Sequence, residues 1–236
     1  MGDSSSAGGA GAAGARRRLV PWIACGLAGM AAAVAAAPFD LRISRAFAAL
    51  GDPVGAFFQD HGTRPALVLY LAAIAWLAVP ALRRRSVDLS RAASAVLVQA
   101  LVHTMFLTNL LKALWGRARY DGVAAGHAAF DSLFSPEPLS GGMSFPSGHV
   151  ATALVLLPAA YVFARSGRGR IAAALVIGSA IFAAATGAAR IRFGAHYLSD
   201  VLFSAGGAAL MAPVSVALGD RYLALFERAG KRLTTR

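Results

Sequence analysis

The chain is short of acid, short of charge and nearly without cysteine. Among its 236 residues, 11 are Asp or Glu against 23 Lys or Arg, and charged residues together make up only 14%. A soluble domain carries roughly 25% charge, so an ordinary water-facing surface is excluded over most of the sequence. The single cysteine, Cys25, permits no intrachain disulfide and no paired-cysteine metal site. Inside an apolar run it reads as a small packing residue. The three tryptophans, Trp22, Trp76 and Trp115, are scattered, which suits interfacial belts or packing and not a cofactor box. No internal repeat is present.

Hydrophobic residues are abundant instead, at 57%. They recur in runs near the ~20 residues that span a bilayer, which predicts an all-α polytopic membrane protein. A net charge of +12 would point to nucleic acid in a soluble protein. Here no nucleic-acid partner is expected, because the cytoplasmic loops of membrane proteins collect Lys and Arg. The abundant Arg, Ala and Gly fit a bacterium with a GC-rich genome.

Residues 1–18 read as a disordered cytoplasmic N-terminus, rich in Gly, Ala and Ser through Gly14 and then basic at Arg16, Arg17 and Arg18. Six spans follow within 19–218, at 19–37, 66–82, 92–115, 150–164, 171–189 and 198–218. The first resembles a signal peptide but is long for one and reads as retained. Between the first two spans, Phe39, Leu41, Ile43, Phe47 and Leu50 lie among Asp40, Arg42 and Arg45, a mix that suits a helix in the membrane interface. Residues 116–147 form a long loop with turn signals around Pro136, Pro138, Gly141 and Gly142. Residues 219–236 read as a basic cytoplasmic tail.

Six spans place both termini on one side, together with the loops at 83–91 and 165–170. That side holds 15 of the 23 Lys and Arg, which makes it cytoplasmic. Of the eight cations opposite, Arg42, Arg45 and Arg64 have Asp40, Asp52 and Asp60 nearby in sequence. The other five, Lys112, Arg117, Arg119, Arg190 and Arg192, sit at the outer ends of the third and fifth spans. Charge at a membrane edge, placed against the orientation rule, is a functional signal.

The fourth span begins at Ser144-Phe145-Pro146-Ser147-Gly148-His149-Val150. Pro146 marks a boundary and Ser147 is a good N-cap. Gly148 lets backbone approach a ligand, and a helix N-terminus favours an anion. His149 stands in the first turn as a proton donor. At the start of the sixth span, His196 and Asp200 are four apart, on one helix face. A carboxylate there can hold one imidazole N–H and leave the other nitrogen to attack or accept a proton. Each feature alone has a plain explanation in snorkelling cations or interhelix hydrogen bonds. Their shared depth instead describes a phosphate pocket with an acid and a nucleophile.

The motifs in this half of the chain are similar to those of the type 2 phosphatidic acid phosphatase superfamily. Lys112-Ala-Leu-Trp-Gly-Arg-Ala-Arg119 resembles its first motif, KxxxxxxRP. Pro146-Ser147-Gly148-His149 resembles its second, PSGH. Arg190-Ile-Arg-Phe-Gly-Ala-His196-Tyr-Leu-Ser-Asp200 resembles its third, SRxxxxxHxxxD. Two positions depart: Tyr120 stands for the Pro after Arg119, and Ala189 for the Ser before Arg190. The resemblance implies that His196 attacks phosphorus, Asp200 orients it, and His149 protonates the leaving oxygen and then activates water. It assigns the phosphoryl oxygens to Lys112, Arg119, Ser147, the Gly148 amide and Arg190, and it implies no metal and no cofactor.

The expectation is therefore a metal-independent lipid phosphate phosphohydrolase of the bacterial inner membrane, with a periplasmic active site and a phosphohistidine intermediate. Its partners are the bilayer and a membrane lipid phosphate. Phosphatidic acid-type lipids, undecaprenyl pyrophosphate and lipid A phosphates are all candidates. One rival is a vanadate haloperoxidase, but the six spans argue against it. A non-catalytic anion-binding or transport protein is another, though it would carry its charges near the bilayer midplane. His103, nine residues before Lys112, falls on the opposite helix face at ~100° per residue. His127 and Asp131 are two candidate metal ligands in a loop, too few for a site. Arg117 and Arg192 read equally as substrate or headgroup contacts.

Overall fold

The computed structural model describes residues 5–50 and 53–234, with side chains described for 18–50 and 55–228. Among these residues the protein is helical throughout, with no strand. Helix α1 runs Ser5–Ala36, so it starts within the stretch expected to be disordered through Gly14. Alanine has the highest helix propensity, and extending a helix already nucleated by the apolar span is cheap. A short 3-10 turn, Ala37–Phe39, leads into α2, Asp40–Ala48. Next come α3 (Pro53–His61), α4 (Arg64–Ala78) and α5 (Pro80–Arg85).

The third span is composite. It joins α6 (Val87–Val98), a π-helical segment Gln99–Leu107 and α7 (Thr108–Trp115). A short α8 (Tyr120–Ala124) lies in the long loop. The expected fourth span is divided into α9 (Gly148–Ala153) and α10 (Leu157–Arg165). Pro158 explains the break, since it stands in the first turn of α10, where no N–H is needed. Helix α11 (Gly169–Arg192) is unbroken. Helix α12 runs Leu198–Thr234 and carries the sixth span and the basic tail as one element.

Five helical stretches are long and apolar enough to cross a bilayer: Arg18–Ala48, Val87–Ala124, Gly148–Arg165, Gly169–Arg192 and Leu198–Arg228. The remaining expected span, 66–82, is interrupted. Val79 is extended, as the residue before a proline tends to be, and the chain restarts as α5 at Pro80. Its α4 portion of 15 residues reaches about 22 Å at 1.5 Å per residue, short of a bilayer core. The outer faces carry Leu67, Val68, Leu71 and Ile74 on α4 and Ile177 and Ile181 on α11, all more than half exposed. Such contiguous apolar surface fits lipid and not water.

Helix α1 packs along α12 through glycines. A Cβ at Gly29 would lie 2.8 Å from the Gly206 Cα, and one at Gly206 would lie 2.6 Å from the Gly26 carbonyl oxygen. Lipid gives no hydrophobic drive for helix pairing, so backbone contact of this kind supplies it. Helix α10 lies at the centre, buried from Leu157 to Phe163 among α6, α11 and α12. One end of the bundle is closed by an ion pair and a hydrogen bond. Arg91 makes two bonds to Asp220, at 2.7 and 2.6 Å, and Asp88 accepts from Ser166 at 2.7 Å. The other end carries the outer tips of α7, α9, α11 and α12.

Candidate active site

Those four tips are tied together by the segment before α9. The Phe145 ring stacks between Trp115 at the end of α7, 4.8 Å between centroids, and Phe203 of α12, at 4.7 Å. The Lys112 ammonium donates to the Met143 carbonyl. Ser147 is the N-cap of α9 and its hydroxyl accepts from the Val150 N–H at 3.5 Å. Its own amide donates to the Asp200 carbonyl at 3.3 Å. The first amides of α9, at Gly148 and His149, have no acceptor within the helix. A Cβ built on Gly148 would meet nothing nearer than a Thr108 methyl at 3.7 Å. The residues expected to surround a phosphoryl group thus come from four separate elements, and Lys112, Arg119 and Arg190 all act electrostatically on His196.

His196 is buried, and its Nδ1 lies 2.5 Å from the Ser144 carbonyl. The Asp200 carboxylate is 3.9 Å from that nitrogen. This corrects the expected geometry: the ring N–H is held by a main-chain carbonyl and not by Asp200. The helix puts the two residues on one face, but the Ser144 backbone reaches the imidazole first. Asp200 instead accepts from the Ser144 hydroxyl at 2.6 Å and from the Tyr197 amide at 2.8 Å. Burial first, and then the charges of Lys112 and Arg190, push the His196 imidazole well below its usual pKa. The Ser144 carbonyl acts the other way, and Arg119 adds to the lowering. The ring is neutral at pH 7, the form that can attack.

The second Asp200 oxygen accepts from Arg117 at 2.7 Å. Arg117 is fully buried, which corrects its reading as a substrate or headgroup contact. It also donates to Asp40 at 2.9 Å, to the Ser199 hydroxyl at 2.9 Å and to the Asp131 carbonyl at 2.9 Å. Its guanidinium lies 4.1 Å above the Tyr197 ring. Asp40 faces this cluster and not Arg42 or Arg45. Its carboxylate accepts from the Ser199 amide at 3.0 Å and from the Ser199 hydroxyl, capping the start of α12 from another helix. The interfacial reading of residues 39–50 is inverted in part. Asp40 and Ser44 face inward, while Phe39 and Leu50 are more than half exposed.

Arg190 is buried and donates to the Gln59 side chain at 2.6 Å, and its Nε has no partner among the described residues. Arg119 is exposed on the wall of a cleft of about 480 Å³, lined also by Asp131, Glu137, Ser140 and Met143. Tyr120, in place of the family's proline, opens α8 at the first helical position. Proline favours that same position, so the exchange leaves the turn in place. Gly116 is left-handed at φ 59°, and a Cβ there would lie 1.9 Å from the Glu137 carbonyl oxygen. The loop is therefore folded tightly over the exit of α7.

His103 stays outside the site. A Cβ built on Gly207 would lie 3.1 Å from its Nε2, so it packs against α12. The 100° arithmetic does not hold across the intervening π-helical turns, and this contact is what separates it from Lys112. His127 is exposed, and Asp131 accepts from the Ala118 amide at 3.1 Å. Among the described residues, no three His, Cys, Asp or Glu side chains cluster as metal ligands. Arg192 lies over the Phe193 ring at 5.6 Å. Sequence reasoning did not single out Ser144 or Gln59, and it set Asp40 only near Arg42 and Arg45 in sequence. Asp40 offered a signal, as an acid at the head of an otherwise apolar-faced helix.

Lys112, Arg119 and Arg190 thus act on both His149 and His196, next to a capped helix start, at one end of a helical membrane scaffold. A family model described as the PAP2 superfamily matches residues 92–222, more than half of the chain, and the chain belongs to that superfamily. Membership carries phosphatase activity toward lipid-like phosphates at the level of the family. No curated protein and no solved structure matches the chain.

Proposed function

We propose that this protein is a metal-independent lipid phosphate phosphohydrolase that works through a phosphohistidine on His196. The observation that carries the reading is the pairing of a neutral, buried imidazole with three cations that act on it from separate elements. Nδ1 faces the Ser144 carbonyl, so Nε2 is the attacking atom. The nitrogen forms a bond to phosphorus as the ester P–O bond breaks, and the leaving oxygen takes a proton from His149. Water then attacks phosphorus, His149 takes its proton, the P–N bond breaks and inorganic phosphate leaves. Lys112, Arg119, Arg190, Ser147 and the Gly148 amide hold the phosphoryl oxygens while charge builds on them. Asp200 supports His196 from behind.

Six spans are proposed, with α4 and α5 together forming the second. The Lys/Arg distribution supports a site on the periplasmic face of a bacterial inner membrane. The apolar outer surface of the helices and the outward Phe39 and Leu50 support a substrate reaching the site from the outer leaflet. Phosphatidic acid-type lipids, polyprenyl phosphates or pyrophosphates and lipid A phosphates are the classes to compare. Purified protein in detergent should release phosphate from a lipid phosphate with far higher kcat/KM than from glycerol phosphate or nucleotides, because remote binding energy is used in the transition state. Equal efficiency on soluble phosphates would defeat the lipid reading. His196→Ala should abolish turnover of every substrate. Absence of an acid-labile phosphoenzyme after rapid quench of His149→Ala with an aryl phosphate would defeat the mechanism.

A further inference from the structure

The buried cluster behind His196 contains groups that the mechanism above does not use. From Arg117, Asp40 and Ser144 we infer a relay of positioning residues that sets the tautomer and orientation of the His196 nucleophile; the inference rests on the phosphohistidine reading. The chain of contacts is continuous. Asp40 and Asp200 both accept from Arg117, at 2.9 and 2.7 Å. Asp200 accepts from the Ser144 hydroxyl at 2.6 Å, and the Ser144 carbonyl faces His196 Nδ1 at 2.5 Å. Asp200 at 3.9 Å from Nδ1 is outside hydrogen-bond range, so its influence on the ring passes through Ser144.

The chemistry needs such a device. A carbonyl can only accept, so Nδ1 must carry the proton and Nε2 must present its lone pair. When Nε2 bonds to phosphorus, positive charge spreads over the ring, and the Nδ1–H bond to the carbonyl strengthens. Three cations act on the same ring and oppose that charge. The cluster behind it, two carboxylates to one guanidinium, is net −1 and offsets them. Both carboxylates and the guanidinium are fully buried, so their charges are weakly screened. Asp40 belongs to α2, outside the three motifs and outside the 92–222 match, so the relay fastens the N-terminal part of the chain to the site.

Variants at Ser144, Asp40 and Arg117 and one spectroscopic measurement test this. Ser144→Ala deletes the hydroxyl but keeps the carbonyl. Asp40→Asn keeps an oxygen for the Ser199 amide but removes a charge. For each, kcat per folded protein and the rate of phosphoenzyme formation should fall about tenfold, in the range of a positioned hydrogen bond to a charged group. KM and the Ki for inorganic phosphate should stay within twofold, because the pocket cations are untouched. Arg117→Lys, which keeps the charge and loses the fork, should fall between these variants and Arg117→Met. A merely structural cluster would instead lower the yield of folded protein while leaving kcat per folded protein unchanged, and that result overturns the inference. In wild-type protein labelled with nitrogen-15 histidine, with His196→Gln as the assignment control, His196 should be the Nδ1–H tautomer. An Nε2–H tautomer overturns it regardless of any activity. Wild type without phosphatase activity would reject the functional reading itself. Active wild type with unaltered variants rejects the relay alone.

Discussion

Arg117 and Arg190 are buried arginines at the same end of one bundle, yet their surroundings are opposite. Arg117 faces two carboxylates, a hydroxyl and a main-chain carbonyl, and its stacking face is covered by Tyr197. Its charge is answered from within the protein. Among the described residues the Arg190 side chain hydrogen-bonds only the neutral Gln59 side chain and Lys112 only the Met143 carbonyl, while Asp121 and Asp200 act on them without a direct bond. No carboxylate pairs either charge directly, so much of it is left for something else to answer. Burying a cation without a counterion is costly. A protein that keeps two such groups around a neutral histidine, while satisfying a third two residues from a proposed phosphate ligand, fits the proposed division between a structural cation and working ones. The difference also explains why counting positive residues at span ends overstates the pocket: five were in play, and one of them holds the scaffold.

The sharpest way to break this comparison is to remove each arginine in turn. Arg117→Met leaves Asp40 and Asp200 buried together without a cation. Such a loss costs about 3–5 kcal/mol, a large part of the ~5–15 kcal/mol that keeps a typical protein folded. Little folded protein should be recovered. Arg190→Met should do the reverse. Its thermal midpoint in detergent should hold level or rise, as at other sites where function is kept at the expense of stability. Its kcat should fall on the order of 10²-fold or more. Equal loss of folding in both variants would mean that the two arginines do the same job.

A smaller effect follows for ligand binding. Inorganic phosphate should answer the open charges and raise the thermal midpoint of the wild type. At 100 times Kd the linkage amounts to about 2.7 kcal/mol. Arg190→Met and Lys112→Met should lose most of this response, and Asp40→Asn should keep it. Phosphate stabilisation that survives loss of both pocket cations would place the anion elsewhere.

Much of this was open to reading in the sequence, for reasons that are local. Ser147 caps its helix because a side-chain oxygen three residues from a free amide is a short-range matter. The break before Pro80 and the divided fourth span are also local to prolines, although both spans were expected whole. Lys112, Arg190 and His196 could be grouped because span order fixes the depth of each. What could not be read were contacts set by the path of the chain between elements. Asp40 and Arg117 are 77 positions apart, and nothing in their spacing pairs them. Ser144 entered only as part of a motif's approach, because its carbonyl, which no side-chain pattern encodes, turned out to be the partner of His196. The π-helical turns before α7 void the regular-helix arithmetic for His103, although its outcome, a packing residue off the site, holds.

The smallest expected effect is a displacement in pH, and it tests the working cations one at a time. His196 must be neutral to attack, so phosphoenzyme formation should decline as pH falls through its pKa. That pKa is lowered first by burial, next by Lys112, then by Arg190, and least by Arg119, with the Ser144 carbonyl opposing. Removing a cation removes a force against protonation. The pKa then rises, and less of the ring is neutral at any acidic pH. Lys112→Met should therefore move the acid limb of kcat/KM to higher pH, and Arg119→Met should move it less. The charges acting on the ring are Lys112, Arg119 and Arg190, with Asp200 3.9 Å from Nδ1. An activated aryl phosphate removes His149 from the measurement, because its leaving group needs little protonation. Comparing variants on that one substrate cancels the titration of the phosphate itself. Asp40→Asn should move the limb to lower pH, because it takes a negative charge from behind the ring. A shift of the same sign for Lys112→Met and Asp40→Asn would show that the two sides of His196 are not electrostatically opposed.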